Sequence, residues 1–142
     1  MEGLIIPDLP PDEGEELENA CGGGPDIIYL LSPSSTQDRI RLVAKRSRGF
    51  IYLVSVTGVT GARNSLSTDL EEFVNNVKAV AEQPLCVGFG ISSPGQAQQI
   101  AGIADGVIIG SRIIQLMEKN DGYSSLHTFI TEIRAALDRK PA

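Results

Sequence analysis

A chain of 142 residues with 42% hydrophobic and 21% charged residues has the balance of a globular domain, not of a disordered or fibrous segment. Eighteen acidic against twelve basic residues leave a formal charge of −6, which repels nucleic acid and anionic membrane surfaces. The apolar runs at 26–31 and 50–54 fall far short of the roughly 20 residues of a membrane span, and no signal-peptide pattern follows Met1. One cytoplasmic domain over residues 1–142, without nucleic-acid or membrane partners, is therefore expected.

In chain order the apolar blocks read as strands at Gly3–Ile6, Asp26–Leu31, Phe50–Ser55, Leu85–Phe89 and Gly106–Ile109, each bounded by Gly, Pro or Ser. They lack polar alternation, the pattern of strands buried on both faces of a parallel sheet. Between them the spacing predicts helices over about 12–21, 37–46 and 69–81. Leu70, Phe73, Val74, Val77, Val80 and Ala81 form one apolar stripe there, and Leu126, Phe129, Ile130, Ile133 and Leu137 form another near the end. Ser93-Pro94-Gly95-Gln96 is a capping box with proline at the first helical position, and Thr68 with Glu71 repeats that logic.

Strand starts recur every 21 to 35 residues, as right-handed βαβ units require. Five strands are too few for a (β/α)₈ barrel, which has eight and spans typically about 250 residues. A five-stranded doubly wound sheet is the alternative at this length.

Ligands in either fold sit at the C-terminal edge of the strands, and every strand but the second ends in a suggestive loop. Asp8 follows the first strand in a stiff Pro7-Asp8-Leu9-Pro10-Pro11 segment, where it acts as a base, contacts a partner or accepts local N–H bonds in a turn. Tyr52 shares a strand face with Phe50 and Val54, and is either a core tyrosine or a pocket-lining hydroxyl. Residues 55–64, rich in Gly, Ser and Thr, read as a lid with Thr60 at its tip.

Gly88-Phe89-Gly90-Ile91-Ser92 and Gly110-Ser111-Arg112 follow the last two strands, and each precedes a helical segment. Glycines let backbone N–H groups approach an anion, and barrel phosphate sites are frequently built from the last two strand loops plus a short extra helix. Residues 113–119 have the length of that helix. Neither GxGxxG nor a Walker motif is present, which argues against a nucleotide. Cys21 and Cys86 read as reduced core thiols, and His127 as a surface residue. Neither a metal-ligand cluster nor a Ser-His-Asp set is expected. Arg112 reads as a solvated or core-edge arginine; the alternative is that it adds charge to the phosphate pocket or crowds it.

Together, Gly3-Leu4-Ile5-Ile6-Pro7-Asp8-Leu9-Pro10, Phe50-Ile51-Tyr52-Leu53-Val54-Ser55, Gly58-Val59-Thr60-Gly61-Ala62, Gly88-Phe89-Gly90-Ile91-Ser92 and Asp105-Gly106-Val107-Ile108-Ile109-Gly110-Ser111 resemble the tryptophan synthase alpha subunit family, from about its fourth barrel strand onward. The resemblance implies a partial (β/α)₈ barrel, strands four to eight, from an enzyme that cleaves indole-3-glycerol phosphate to indole and glyceraldehyde 3-phosphate. Indole then passes to a beta subunit, which holds the pyridoxal phosphate; this chain needs no cofactor of its own.

By the same resemblance Tyr52, Thr60, Gly61, Gly88, Phe89, Gly90, Ile91, Gly110 and Ser111 bind substrate, and Asp8 faces the beta subunit. The family's catalytic glutamate and aspartate lie before the first matched strand, so neither is carried over. Four readings follow: an enzyme fragment inactive alone, a half-barrel that self-associates through open edges, a non-catalytic scaffold that binds phosphate or the beta subunit, and a stand-alone doubly wound domain.

Overall fold

The computed structural model describes residues 2–55, 68–88 and 90–139. In chain order it runs β1 (Gly3–Ile5), a 3₁₀ turn (Pro11–Glu13), α1 (Gly14–Cys21), β2 (Asp26–Ile28), β3 (Leu30–Leu31), α2 (Gln37–Arg46), β4 (Ile51–Val54), α3 (Thr68–Lys78), β5 (Leu85–Gly88), α4 (Pro94–Ala101), β6 (Gly106–Ile108), α5 (Ser111–Met117) and α6 (Ser124–Asp138).

Every strand pair is parallel, and the order is sequential: β1 pairs with β2, then β3, β4, β5 and β6 follow. The expected second strand is divided at Tyr29, where the chain changes partners. Asp26–Ile28 pairs with β1, Leu30–Leu31 pairs with β4, and the Tyr29 carbonyl between them accepts from Tyr52 N at 3.1 Å. A doubly wound sheet reverses its strand order at a switch point. Here the order never reverses, which leaves the partial barrel.

Alternation along the strands sorts the side chains onto two faces. Ile27, Tyr29, Leu31, Ile51, Leu53, Leu85 and Val87 form one core cluster with Ile40 and Val43 of α2, Phe73, Val74 and Val77 of α3, Ala97 and Ile100 of α4, and Phe129 and Ile133 of α6. Helices from every βα unit after the first thus bury the same convex face, at roughly 1.5–3 kcal/mol per large apolar side chain. The concave face carries Leu30, Tyr52, Val54, Cys86 and Ile108, all only half-buried, and Ile5, which is exposed.

Helix boundaries follow local chemistry. Ser93 and Gln96 form the expected capping box, with Pro94 at the first position of α4. Thr36 caps α2 by accepting from Arg39 N. Thr68, expected as a cap, is instead the first helical residue of α3. The stripe expected to reach Ala81 ends with the helix at Lys78, and Val80 is 41% exposed. Ile130 is likewise 49% exposed, because α6 packs on α4 and α5 through Phe129 and Ile133 alone of that turn. The expected short helix at 113–119 starts two residues earlier, at Ser111.

Candidate functional site

Register sets the geometry of the C-terminal edge. Val54 pairs with Gly88 and Gly88 with Ile108, so β4, β5 and β6 end level. The C-terminal ends of the three strands therefore lie side by side, the edge at which ligands sit in such folds.

Gly88 and Tyr52 define the floor of this edge. A Cβ added at Gly88 would lie 2.2 Å from the Tyr52 hydroxyl oxygen, so the phenol ring covers the glycine on the concave face. Burial pushes the Tyr52 hydroxyl above its ordinary pKa, and it stays protonated as a neutral polar group. Tyr52 thus belongs to the inward face, with Val54, as its strand parity requires.

Ser55, expected both as the end of a strand and as the first residue of the lid, is buried and joins β4 to β5: its backbone N and its Oγ both donate to the Gly88 carbonyl, at 3.1 and 2.9 Å. A serine directly after an apolar strand and before a glycine-rich loop was the available signal.

Gly90 turns the chain out of β5 with φ +76°, a conformation open to glycine, and Ile91 then drops back into the core at 4% exposure. Gly90 belongs to the loop surface, whereas Ile91 anchors the loop. Ser92 and Ser93 N–H groups donate to the Gln96 side chain at 2.8 and 3.2 Å, which fixes the start of α4. Gly110 stands at the N-cap of α5 with Ser111 after it, and both are exposed. The first N–H groups of a helix lack partners within it, so this end presents donors to an anion. Phe89, Thr60 and Gly61, with the rest of the expected lid, lie outside the described residues.

Arg112 does not point into the Gly110–Ser111 end. Its guanidinium lies over the Phe129 ring of α6 at 5.9 Å, and it reaches Gln115 Oε1 at 3.5 Å. Both cysteines are free thiols: Cys21, half-buried at the end of α1, packs against the core as expected, whereas Cys86 is half-buried on the concave face and not in the core cluster; burial first, then Asp105, pushes the Cys86 thiol pKa up. His127 is exposed on α6.

Asp8 is exposed at the tip of a turn closed by Leu9 N donating to the Ile6 carbonyl at 3.2 Å. Beside it opens a cleft of about 630 Å³, lined by Pro7, Leu9, Asp12, Leu30, Val54 and the hydroxyl-rich loop of Ser32, Ser34, Ser35 and Thr36. That loop follows the second expected strand, the one end that looked uninformative. Its Ser-Pro-Ser-Ser-Thr run was the overlooked signal: Ser32 Oγ and Ser34 Oγ bond at 2.9 Å, and Ser35 Oγ accepts from Ser32 N at 3.0 Å.

The family model for tryptophan synthase alpha chain matches residues 1–137. The chain belongs to that family. The tryptophan synthase alpha chain of Dehalococcoides mccartyi is 55% identical over 139 residues, covering 97% of this chain and 54% of that protein. A Mycobacterium tuberculosis tryptophan synthase structure superposes with a TM-score of 0.83 at 42% identity, over 96% of this chain and 51% of the other. The Legionella pneumophila tryptophan synthase alpha chain gives 0.81 at 31% identity, over 97% and 52%. The chain spans about half the length of the curated relatives it matches. Its fold is accordingly part of a (β/α)₈ barrel of the tryptophan synthase alpha type.

Proposed function

We propose that this chain is the phosphate-holding portion of a tryptophan synthase alpha barrel and forms one domain over residues 1–142. In this reading Gly90, Gly110 and Ser111 cradle the phosphate of indole-3-glycerol phosphate, while Tyr52, Gly88, Phe89 and Ile91 shape the adjoining pocket. Thr60 and Gly61 close over it. The observation that carries the reading is the level end of β4, β5 and β6, with Tyr52 folded over Gly88 at that edge.

Retro-aldol cleavage gives indole and glyceraldehyde 3-phosphate: a hydroxyl proton leaves as the aldehyde forms, and the indole ring carbon gains a proton. Both transfers need positioned acid–base groups, each worth roughly 10² to 10⁴ in rate. The resemblance puts the family's two carboxylates outside this chain, so the chain binds the phosphate and does not turn substrate over by itself. It is a carbon–carbon lyase by family, placed in tryptophan biosynthesis in the cytoplasm. It needs no cofactor; pyridoxal phosphate belongs to the beta subunit, which the turn at Asp8 contacts.

A second reading, a non-catalytic scaffold for the beta subunit, draws on the exposed Asp8 turn beside the large cleft. Glycerol 3-phosphate separates the two. It should raise the melting temperature of the chain, since a ligand at about 100 times its Kd stabilises by roughly 2.7 kcal/mol. Ser111→Asp should abolish the shift without unfolding the protein, because a carboxylate suits the first turn of a helix but repels phosphate. An unchanged shift in that variant would remove the phosphate assignment.

A further inference from the structure

Gly88 closes β5 and Gly90 follows two residues later, so the chain leaves this strand through the residue type with the greatest backbone freedom. Such freedom works against a ligand site, because ordering a loose segment on binding lowers affinity. Here the segment is pinned at both ends. Ile91, at 4% exposure, seats the far end in the core, after the Gly90 turn at φ +76°. At the near end the Tyr52 ring lies over Gly88 on the concave side, and Ser55 holds the Gly88 carbonyl.

Ser55 makes two bonds to that one oxygen. Its backbone N, at 3.1 Å, continues the β4–β5 pairing by one step, a bond open to any residue but proline. Its Oγ, at 2.9 Å, adds a second donor, which requires a hydroxyl or thiol on Cβ. A carbonyl oxygen has two acceptor positions, and Ser55 fills both. Both residues are buried, Ser55 at 7% exposure, so deleting the hydroxyl leaves the oxygen short of a donor with water shut out.

We propose that Ser55 is a positioning residue for phosphate at the Gly90 turn: without touching the ligand, its hydroxyl fixes the Gly88 carbonyl towards β4, keeps that negative end off the anion and holds the turn preformed. The inference rests on the phosphate reading above and adds to it a residue outside the cradle.

Glycerol 3-phosphate is titrated calorimetrically into the 142-residue chain and its variants, at a temperature where circular dichroism shows each one folded. Ser55→Ala should weaken Kd by roughly five- to tenfold, the scale of one buried hydrogen bond, and Ser55→Thr, which keeps the donor, should restore most of the affinity. Ser55→Cys, a weaker donor, should fall between, and it takes the place of the alanine variant if that one does not fold. Tyr29→Phe, which loses the buried bond to Glu18 on the convex side, should lower stability and leave Kd unchanged. A Kd for Ser55→Ala within about twofold of the parent overturns the proposal while the phosphate reading stands. So does a Tyr29→Phe variant weakened as much as Ser55→Ala, which would trace the loss to general loosening. No binding by the parent chain removes the phosphate reading and this inference together.

Discussion

Replacing Gly88 with alanine tests the floor of the site directly. The new Cβ would lie 2.2 Å from the Tyr52 hydroxyl oxygen, 2.5 Å from Cζ and 2.7 Å from Cε1, so the ring must move by more than an ångström. Overpacking of this kind costs about 1–3 kcal/mol. Tyr52 is only half-buried and the concave face is open, so the ring can swing outward, and a loss near 1–2 kcal/mol is expected. Gly14→Ala sets the scale. There the added Cβ would meet the Tyr29 hydroxyl at 1.7 Å, but Tyr29 is 1% exposed and donates to Glu18, so the ring has nowhere to go and the loss should reach about 3 kcal/mol or more.

Urea denaturation followed by near-ultraviolet circular dichroism suits a chain with three tyrosines and no tryptophan. In a double-mutant cycle, Tyr52→Ala should relieve much of the Gly88→Ala penalty, giving a coupling of about 1 kcal/mol or more. Additive effects, or a Gly88→Ala loss equal to that of Gly14→Ala, would refute the placement of Tyr52 over Gly88.

Two further outcomes follow from buried polar contacts. Burial, then the bond to Glu18, raises the Tyr29 pKa to about 12 from 10.0; the folded state thus favours the neutral phenol, so its contribution is complete below pH 10 and lost as pH rises towards 12. Tyr29→Phe should flatten the fall in stability over that window, and urea titrations at pH 9 to 11.5 check it. Ser93→Ala removes the acceptor for Gln96 N at the start of α4 and should cost about 1 kcal/mol, measured by thermal unfolding, with Ser93→Asp restoring most of it.

The parts of this fold that could be read from sequence are those where one local rule acts alone. The apolar blocks mark every strand because both strand faces are apolar, with Leu53 and Val87 under the helices and Leu30, Val54 and Ile108 on the concave side, and the Ser93–Gln96 box starts its helix because both reciprocal bonds are local. Val80 and Ile130 were assigned to buried stripes because spacing records periodicity but not where a neighbouring element stops. The break at Tyr29 reflects a change of pairing partner, a long-range event.

Among the site glycines, Gly88 lies close under the Tyr52 ring and Gly90 holds φ +76°, both reasons for a glycine, whereas a Cβ at Gly110 would meet nothing within 4 Å. The Ser55 bond to the Gly88 carbonyl, the Ser32–Thr36 wall of the cleft and the seat of Arg112 on Phe129 depend on distant elements and were not legible in the sequence.

The most direct test of the account is the release of indole from indole-3-glycerol phosphate by the 142-residue chain alone, run beside glycerol 3-phosphate binding on the same preparation. Binding without indole release is the predicted result. Indole release at a rate above the uncatalysed reaction would contradict it, because acid–base groups sufficient for the cleavage would then lie within these residues.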